Sequence, residues 1–342
     1  AARLLLQPDT LIQAGGGAVP QREWMPLILE ARRRIAPYLK PTPLHYYPLL
    51  SDLVGAEVYV KHENAQPIGA FKVRGGINLI GSLSTVERAN GVITASTGNH
   101  GQSVAYASHI FGVKAVIGVP ENCNPSKLAA MQSWGAEMLI TGRDFDETRE
   151  VVEKTAKERG MRHIHPANEP LLIAGVATMA LEVLEVLPEA EVIFCPVGGG
   201  SSCAGTTLVA RAVKPSLRVI GVQAARASSA YESWRQRRLV TTGSADTFAE
   251  GVQTRVAFEL TQSILWQNLE RFVLVEEEEM RQAILHYLEK ARTLAEGAGA
   301  APLAAALKCK DEIRGKKVVL YLSGGNVSRS NLIHILTDPN PW

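Results

Sequence analysis

Lys72 lies in the segment GAFKVRGG (69–76), among Gly69, Ala70, Gly75 and Gly76 and beside Phe71. Small neighbours let a bulky group approach, and apolar surroundings depress an ammonium pKa and leave a nucleophilic amine. Taken alone, such a Lys is more often structural or on the surface. A second stretch, VGGGSSCAG (197–205), changes the balance. Gly198, Gly199 and Gly200 free backbone N–H groups to point at an anion, Ser201 and Ser202 add hydroxyls, and a helix that follows would aim its N-terminus at the same spot. The competing reading is a tight strand-to-helix turn with no ligand. The dinucleotide fingerprint G-x-G-x-x-G is not met, because the next glycine is Gly205 and the following strand ends on Gln223, not on an acid. A Walker loop fails for want of G-K-[ST]. The loop therefore suits a single phosphate. One phosphate site and one reactive amine together suggest pyridoxal phosphate, which needs both.

Two more glycine-bearing stretches, STGNHG (96–101) and SGGN (323–326), close short apolar runs. The elements that must hold them alternate with regularity. Apolar runs at 92–95, 115–119, 137–140 and 164–165 are separated by helical patterns, among them 125–134 and 145–159. The alternation resumes with 192–197, a helix over 204–213, a strand over 218–222, a helix over 276–288 and a strand over 317–322. Short apolar runs interleaved with helices predict a parallel α/β sheet with helical crossovers, which binds its ligands at strand ends. The 342 residues suggest about two domains. No Pro/Ser/Gly-rich linker separates two halves, so two interwound open parallel-sheet lobes fit better than two beads on a string.

Composition excludes several classes. Apolar residues make up 46% and charged ones 20%, an ordinary globular mix. The net charge of +2 argues against a nucleic-acid partner held by bulk charge, and 6% aromatics give little support to base stacking. Apolar runs stop short of 18 residues, so no membrane partner is expected, and residues 1–7 lack the pattern of a secretory signal. The four cysteines Cys123, Cys195, Cys203 and Cys309 form no C-x-x-C pair and read as reduced and mostly buried, in a cytoplasmic protein.

These motifs resemble those of the fold-type II pyridoxal-phosphate enzymes, in the threonine/serine dehydratase and serine racemase group. GAFKVRGG resembles the family's S-F-K-x-R-G-A, STGNHGQ its S-S-G-N-H-A-Q, PVGGGSSCAG its P-V-G-G-G-G-L-x-x-G, and LSGGNV its C-terminal strand end, in the same order from about Thr42 to Ser328. The resemblance implies a tryptophan synthase β-like fold, with 1–90 and 169–342 as the large cofactor-binding domain and 91–168 as the small one. It implies that Lys72 holds pyridoxal 5'-phosphate as a Schiff base and acts as base at Cα. Phe71 would pack beside the ring, Asn99 would bond its phenolic oxygen, Gly198, Gly199, Gly200 and Ser201 would hold the phosphate with Ser202 a weaker candidate, and Ser323 would meet the pyridine nitrogen. Glu296 matches an acidic residue near the ring. Ser96, Thr97, Gly98 and His100 would lie in the loop that takes the carboxylate of a small amino-acid substrate, and Ser96 and Thr97 would join Lys72 as catalytic candidates. A homodimer or homotetramer is implied as well.

Departures from the family are informative. Thr97 replaces the Ser that serves racemases as a second base, which makes racemisation less expected. Gln223 and Ser229 stand where metal-dependent members carry acids, so no metal is expected there. Ser201 replaces a fourth glycine, and AGVAT (174–178) replaces A-G-Q-G-T in a stretch expected to border the cofactor pocket. No regulatory domain is expected after Trp342. The implied activity is a dehydratase, or ammonia-lyase, that converts L-threonine or L-serine to a 2-oxo acid and ammonia. The rivals are an amino-acid racemase, a dehydratase of a bulkier substrate such as phenylserine or a hydroxyectoine-type intermediate, and a non-catalytic binder of a phosphorylated metabolite. Arg74 reads equally as active-site wall or exposed charge, Glu276–Glu279 as a solvated helix start, His163 and His165 as structural, Cys203 as packing, and Trp134, Trp234 and Trp266 as packing or interface residues.

Overall fold

Strands β3 (Val92–Ala95), β4 (Ala115–Val119) and β7 (Val192–Pro196) are buried at every position, which is why they read as unbroken apolar runs. Helices cover both faces of a parallel sheet, so no face alternates with solvent. The computed structural model describes residues 23–337; residues 1–7, read above for a leader, lie outside the described residues, as does the start of the 1–90 segment. The remaining strands are β1 (Leu44–Tyr46), β2 (Glu57–His62), β5 (Glu137–Ile140), β6 (Arg162–His163), β8 (Arg218–Ala224), β9 (Arg271–Val275) and β10 (Lys317–Leu322).

They form two sheets. A four-stranded sheet has the order β5-β4-β3-β6, all parallel. A six-stranded sheet has the order β1-β2-β10-β7-β8-β9, parallel throughout except for antiparallel β1 on β2. Successive side chains of β7 go to opposite faces, as a strand demands. Ile193 and Cys195 join an apolar cluster that also contains Val104, Ile117 and Ile164, whereas Val192 and Phe194 join a second cluster with Val58, Leu303 and Leu320.

Several boundaries differ from expectation for identifiable reasons. The last strand of the small sheet is 162–163 rather than 164–165, although the Ile164 N–H still reaches the Ile93 carbonyl at 2.9 Å. The helix after the glycine loop starts at Ser201, three residues early, because Gly200 supplies a left-handed cap at φ 90°. The helix expected over 276–288 is α-helical over Glu277–His286 and continues as a π-turn over Tyr287–Ala291. The helix Pro170–Val186 has no single solvent face and is buried along most of its length, so its sequence lacks a helical period. The helix Lys72–Gly81 contains Gly75 and Gly76, which cost helix stability but let neighbours close in: a Cβ on Gly76 would sit 2.7 Å from the Ser103 carbonyl oxygen. Among the described residues no helix is long and apolar enough to cross a membrane.

Candidate active site

Backbone pairing brings Lys72 to the end of β10. Ala70 pairs with Gly324 in an isolated antiparallel bridge, and the Phe71 N–H donates to the Ser323 carbonyl at 2.9 Å. Lys72 is the first residue of its helix, so its side chain projects from a fixed point. Its Nζ donates to Ser201 Oγ at 3.1 Å and stands 5.3 Å from the centre of the Phe71 ring. The residue is half-buried, and among the described residues no carboxylate pairs with the amine, so desolvation lowers its pKa to about 8. Such an amine is neutral in a minority of molecules near physiological pH, far more than an ordinary lysine, and that form can act as a nucleophile or base.

The glycine loop faces it. Val197 closes β7 by donating to the Val222 carbonyl at 2.7 Å, and Ala204 is the first residue of the next helix to bond back, to Gly200 at 2.9 Å. Between them, the N–H groups of 198–203 donate to no backbone carbonyl among the described residues. A Cβ at Gly198 would lie 2.2 Å from the Gly251 carbonyl oxygen, and one at Gly200 would lie 3.0 Å from Thr261 Cβ. Only glycine lets the backbone run this close, and open N–H groups at a helix start are the donor set a phosphate takes. The loop and the amine therefore fit the phosphate and the aldehyde of pyridoxal phosphate. Ser201 has its hydroxyl on Lys72, whereas Ser202 turns its hydroxyl back to the Pro196 carbonyl at 3.1 Å.

The loop after β3 supplies the opposite side. Asn99 Nδ2 donates to Glu296 Oε1 at 2.9 Å, and Asn326 Nδ2 donates to Asn99 Oδ1 at 2.8 Å. Burial pushes the Glu296 carboxyl up to about 7. Ser96 Oγ caps the helix Asn99–Phe111 by accepting from Gly98 N at 3.3 Å and Gly101 N at 3.0 Å. His100 turns inward to Thr94 Oγ1 at 3.1 Å. That hydroxyl already donates to the Ile164 carbonyl at 2.8 Å, so it accepts from His100, whose Nε2 carries the proton. Burial lowers the imidazole pKa to about 3, so it is neutral. Thr97 and Gly98 are the partly exposed tip. Lys72, Phe71, Ser201, Ser323, Asn99 and Glu296 are thus linked by contact or backbone pairing, while Ser96, His100 and Ser202 have polar atoms engaged in holding their own loops. Asn326 stands in the SGGN stretch read as a site loop, where its residue type alone points to no particular role.

Other expectations are corrected. Arg74 is neither wall nor surface: it is fully buried and forks onto Glu63 at 2.8 Å through both Nε and Nη2, and onto Glu182 at 2.6 and 2.8 Å. Lys61 joins at Glu182 and at the Thr42 carbonyl, the latter at 2.8 Å. Burial alone would raise Glu63, but the adjacent Arg74 guanidinium outweighs it and holds the carboxyl low. AGVAT packs against the helix that Lys72 starts: a Cβ on Gly175 would sit 2.7 Å from the Arg74 carbonyl oxygen, and Thr178 Oγ1 accepts from Arg74 at 3.2 Å. Glu277 is not solvated, since it accepts from Thr247 Oγ1 at 3.0 Å and Phe248 N at 3.1 Å in a buried position. Gln223 Oε1 accepts from Tyr231 N at 3.0 Å, and Ser229 Oγ donates to the Thr254 carbonyl at 2.7 Å.

Residues 35–324 match a family model described as pyridoxal-phosphate dependent enzyme. The L-threonine ammonia-lyase of Thermotoga maritima is 39% identical over 309 residues, which cover 90% of this chain and 77% of that protein. The catabolic L-threonine dehydratase of Staphylococcus aureus is 37% identical over 313 residues, 90% of each. Among solved structures, threonine deaminase isoform 2 from Solanum lycopersicum superposes with a TM-score of 0.89 at 30% identity, covering 93% of this chain and 94% of that one. Maize serine racemase gives a TM-score of 0.86 at 31% identity, covering 90% and 95%.

Proposed function

The chain belongs to the pyridoxal-phosphate dependent enzymes of fold type II, and on that premise we propose that it is an ammonia-lyase that converts L-threonine, and L-serine as a second substrate, to a 2-oxo acid and ammonia. The observation that carries this reading is Lys72, with its lowered pKa, held 3.1 Å from Ser201 at the mouth of an open anion cradle. Relatives of 37% and 39% identity that bear threonine lyase and dehydratase names support the substrate.

When bound, the cofactor supplies an electron sink next to the substrate Cα. The N–H groups of 198–203 and the Ser201 hydroxyl would hold its phosphate, and Ser323 would give the ring nitrogen a neutral partner. Asn99 would donate to its phenolic oxygen, Phe71 would pack beside the ring, and Glu296 would support Asn99. The 96–101 loop, with Thr97 and Gly98 at its tip, would take the substrate carboxylate. His100 shapes that loop from behind as a neutral imidazole. Lys72, neutral in a fraction of molecules at pH 7 and in most above 8, would take the Cα proton; the β-hydroxyl would then take up that proton from the Lys72 ammonium and depart as water. The enamine released adds water and loses ammonia to give the 2-oxo acid. We take 91–168 as the small lobe against 1–90 and 169–342, and a cytoplasmic homodimer or homotetramer as the working form; light scattering tests the assembly.

Racemisation is the second reading, favoured by the likeness to maize serine racemase and by the hydroxyl that Thr97 retains. A panel of L- and D-β-hydroxy amino acids, read for oxo-acid release and for inversion, separates the two. L-Threonine should give oxo acid fastest. Inversion without oxo acid would replace the lyase reading, and a colourless protein with neither activity would remove both.

A further inference from the structure

We propose that Asn326 is a positioning residue that sets the orientation of the Asn99 amide, so that Asn99 presents a donor, not an acceptor, to the cofactor. The inference rests on the cofactor reading above and adds a residue to it.

The argument starts from a carbonyl. Asn326 Nδ2 lies 2.8 Å from the Ile68 carbonyl oxygen, which can only accept, so the Asn326 atom there must be the amide nitrogen. Its second hydrogen points to Asn99 at 2.8 Å, so the Asn99 atom there must be the acceptor Oδ1. That turns Asn99 Nδ2 to Glu296, 2.9 Å away. One hydrogen of that nitrogen goes to Glu296, and the other is uncommitted among the described residues. Glu296 alone would not fix this arrangement. Burial puts its carboxyl at about 7, where it either accepts or donates, so it would satisfy Asn99 in either orientation. Only the anchor on Ile68 breaks that symmetry. The Asn326 backbone N–H also bonds the Glu296 carboxylate. Gly69 makes the room: it has φ +68°, and a Cβ there would sit 2.6 Å from Asn326 Oδ1. One exposed side chain thus joins the strand end that carries Ser323, the turn before Lys72 and the first residue of the helix Asn99–Phe111.

The test is equilibrium binding of pyridoxal phosphate to the full chain, followed by cofactor absorbance without substrate, in the wild type, N326A, N326D, N99A and N326A/N99A. Loss of one hydrogen bond's worth of order should weaken binding about 5-fold in N326A. N326D should bind more weakly still: Asp matches Asn in shape, but its carboxylate opposes the Ile68 carbonyl and pulls the Asn99 nitrogen round. In the N99A background, N326A should add less than about 2-fold, because Asn326 acts through Asn99. Wild-type binding by N326D, or an equal effect of N326A in both backgrounds, would overturn the proposal. Loss of fold in cofactor-free N326A, read by circular dichroism, would overturn it too. If the wild type itself takes up no cofactor, the functional reading falls and this inference with it; normal uptake with indifferent variants sinks this inference alone.

Discussion

At the scale of the residue, Lys72 owes its lowered pKa to what its surroundings withhold. Among the described residues no carboxylate stabilises its charge, and desolvation brings its pKa from 10.5 to about 8. The sign of the resulting pH dependence follows: the neutral, attacking form grows as pH rises through 8 and saturates above it. Cofactor uptake by stripped protein, timed by absorbance, should accelerate from pH 6.5 to about 8.5 and level off, whereas an ordinary lysine would still be gaining toward 10.5. A rate that climbs steadily past pH 9.5 would contradict the desolvated amine. Lys72→Ala should abolish oxo-acid release while the 198–203 loop still retains some cofactor, so that borohydride followed by mass analysis finds no label on the chain. Most of these residues were legible because each stands in a short glycine-rich stretch at the end of an apolar run. Asn326 and Arg74 were not. Asn326 acts through a neighbour 227 positions away, and Arg74 meets acids 11 and 108 positions away, and one sequence does not show such separations closing.

At the scale of the element, two features carry the site. The first is the start of the helix Ser201–Val213. Gly200 is left-handed there and Thr261 closes over it, with Thr261 Oγ1 donating to the Gly199 carbonyl at 2.8 Å. Gly200→Ala should cost ~1–2 kcal/mol from the backbone conformation, with a further cost from a Cβ only 3.0 Å from Thr261. Cofactor affinity should fall with it, as dialysis and a thermal melt would show together; an unchanged affinity would mean the loop does not hold the phosphate. The second feature is the ionic knot that fastens β2 and the turn after it to the helices Lys72–Gly81 and Pro170–Val186. Arg74→Ala leaves Glu63 and Glu182 with Lys61 as their near cation in a buried place, which should destabilise by ~3–5 kcal/mol in denaturant unfolding. Loss of less than about 1 kcal/mol would show that water already reaches the cluster. The alternation of strands and helices from β3 onward was readable because parallel strands are uniformly apolar. The helices Lys72–Gly81 and Pro170–Val186 were obscured by the property that makes them useful: both are packed on nearly all sides, one through glycines and the other through an apolar surface with no polar face.

At the scale of the whole molecule, two sheets suggest two units, and each has an apolar cluster of its own, but a third and larger cluster spans both. One continuous cluster takes Val92, Val104, Ala115, Ile117 and Ile164 from around the four-stranded sheet and Ile193, Val197, Leu208, Val319 and Tyr321 from around the six-stranded one. The helix of Lys72 lies between, with Val73, Ile77 and Ile80 in that same cluster. Melting either sheet alone would expose part of the other's core, so the sheets should not unfold separately. Calorimetry of the cofactor-free chain should give one transition with matching calorimetric and van't Hoff enthalpies. Added pyridoxal phosphate should move that single transition upward, because a ligand bound only by the folded state stabilises it by mass action. The proposed site would draw on both sheets: Asn99 follows a strand of the small one, Ser201 and Ser323 follow strands of the large one, and Glu296 bonds the backbone beside Ser323. Two resolved transitions, with only one shifted by cofactor, would mean that the interior is divided and that the cleft can lose one wall while the other stays folded.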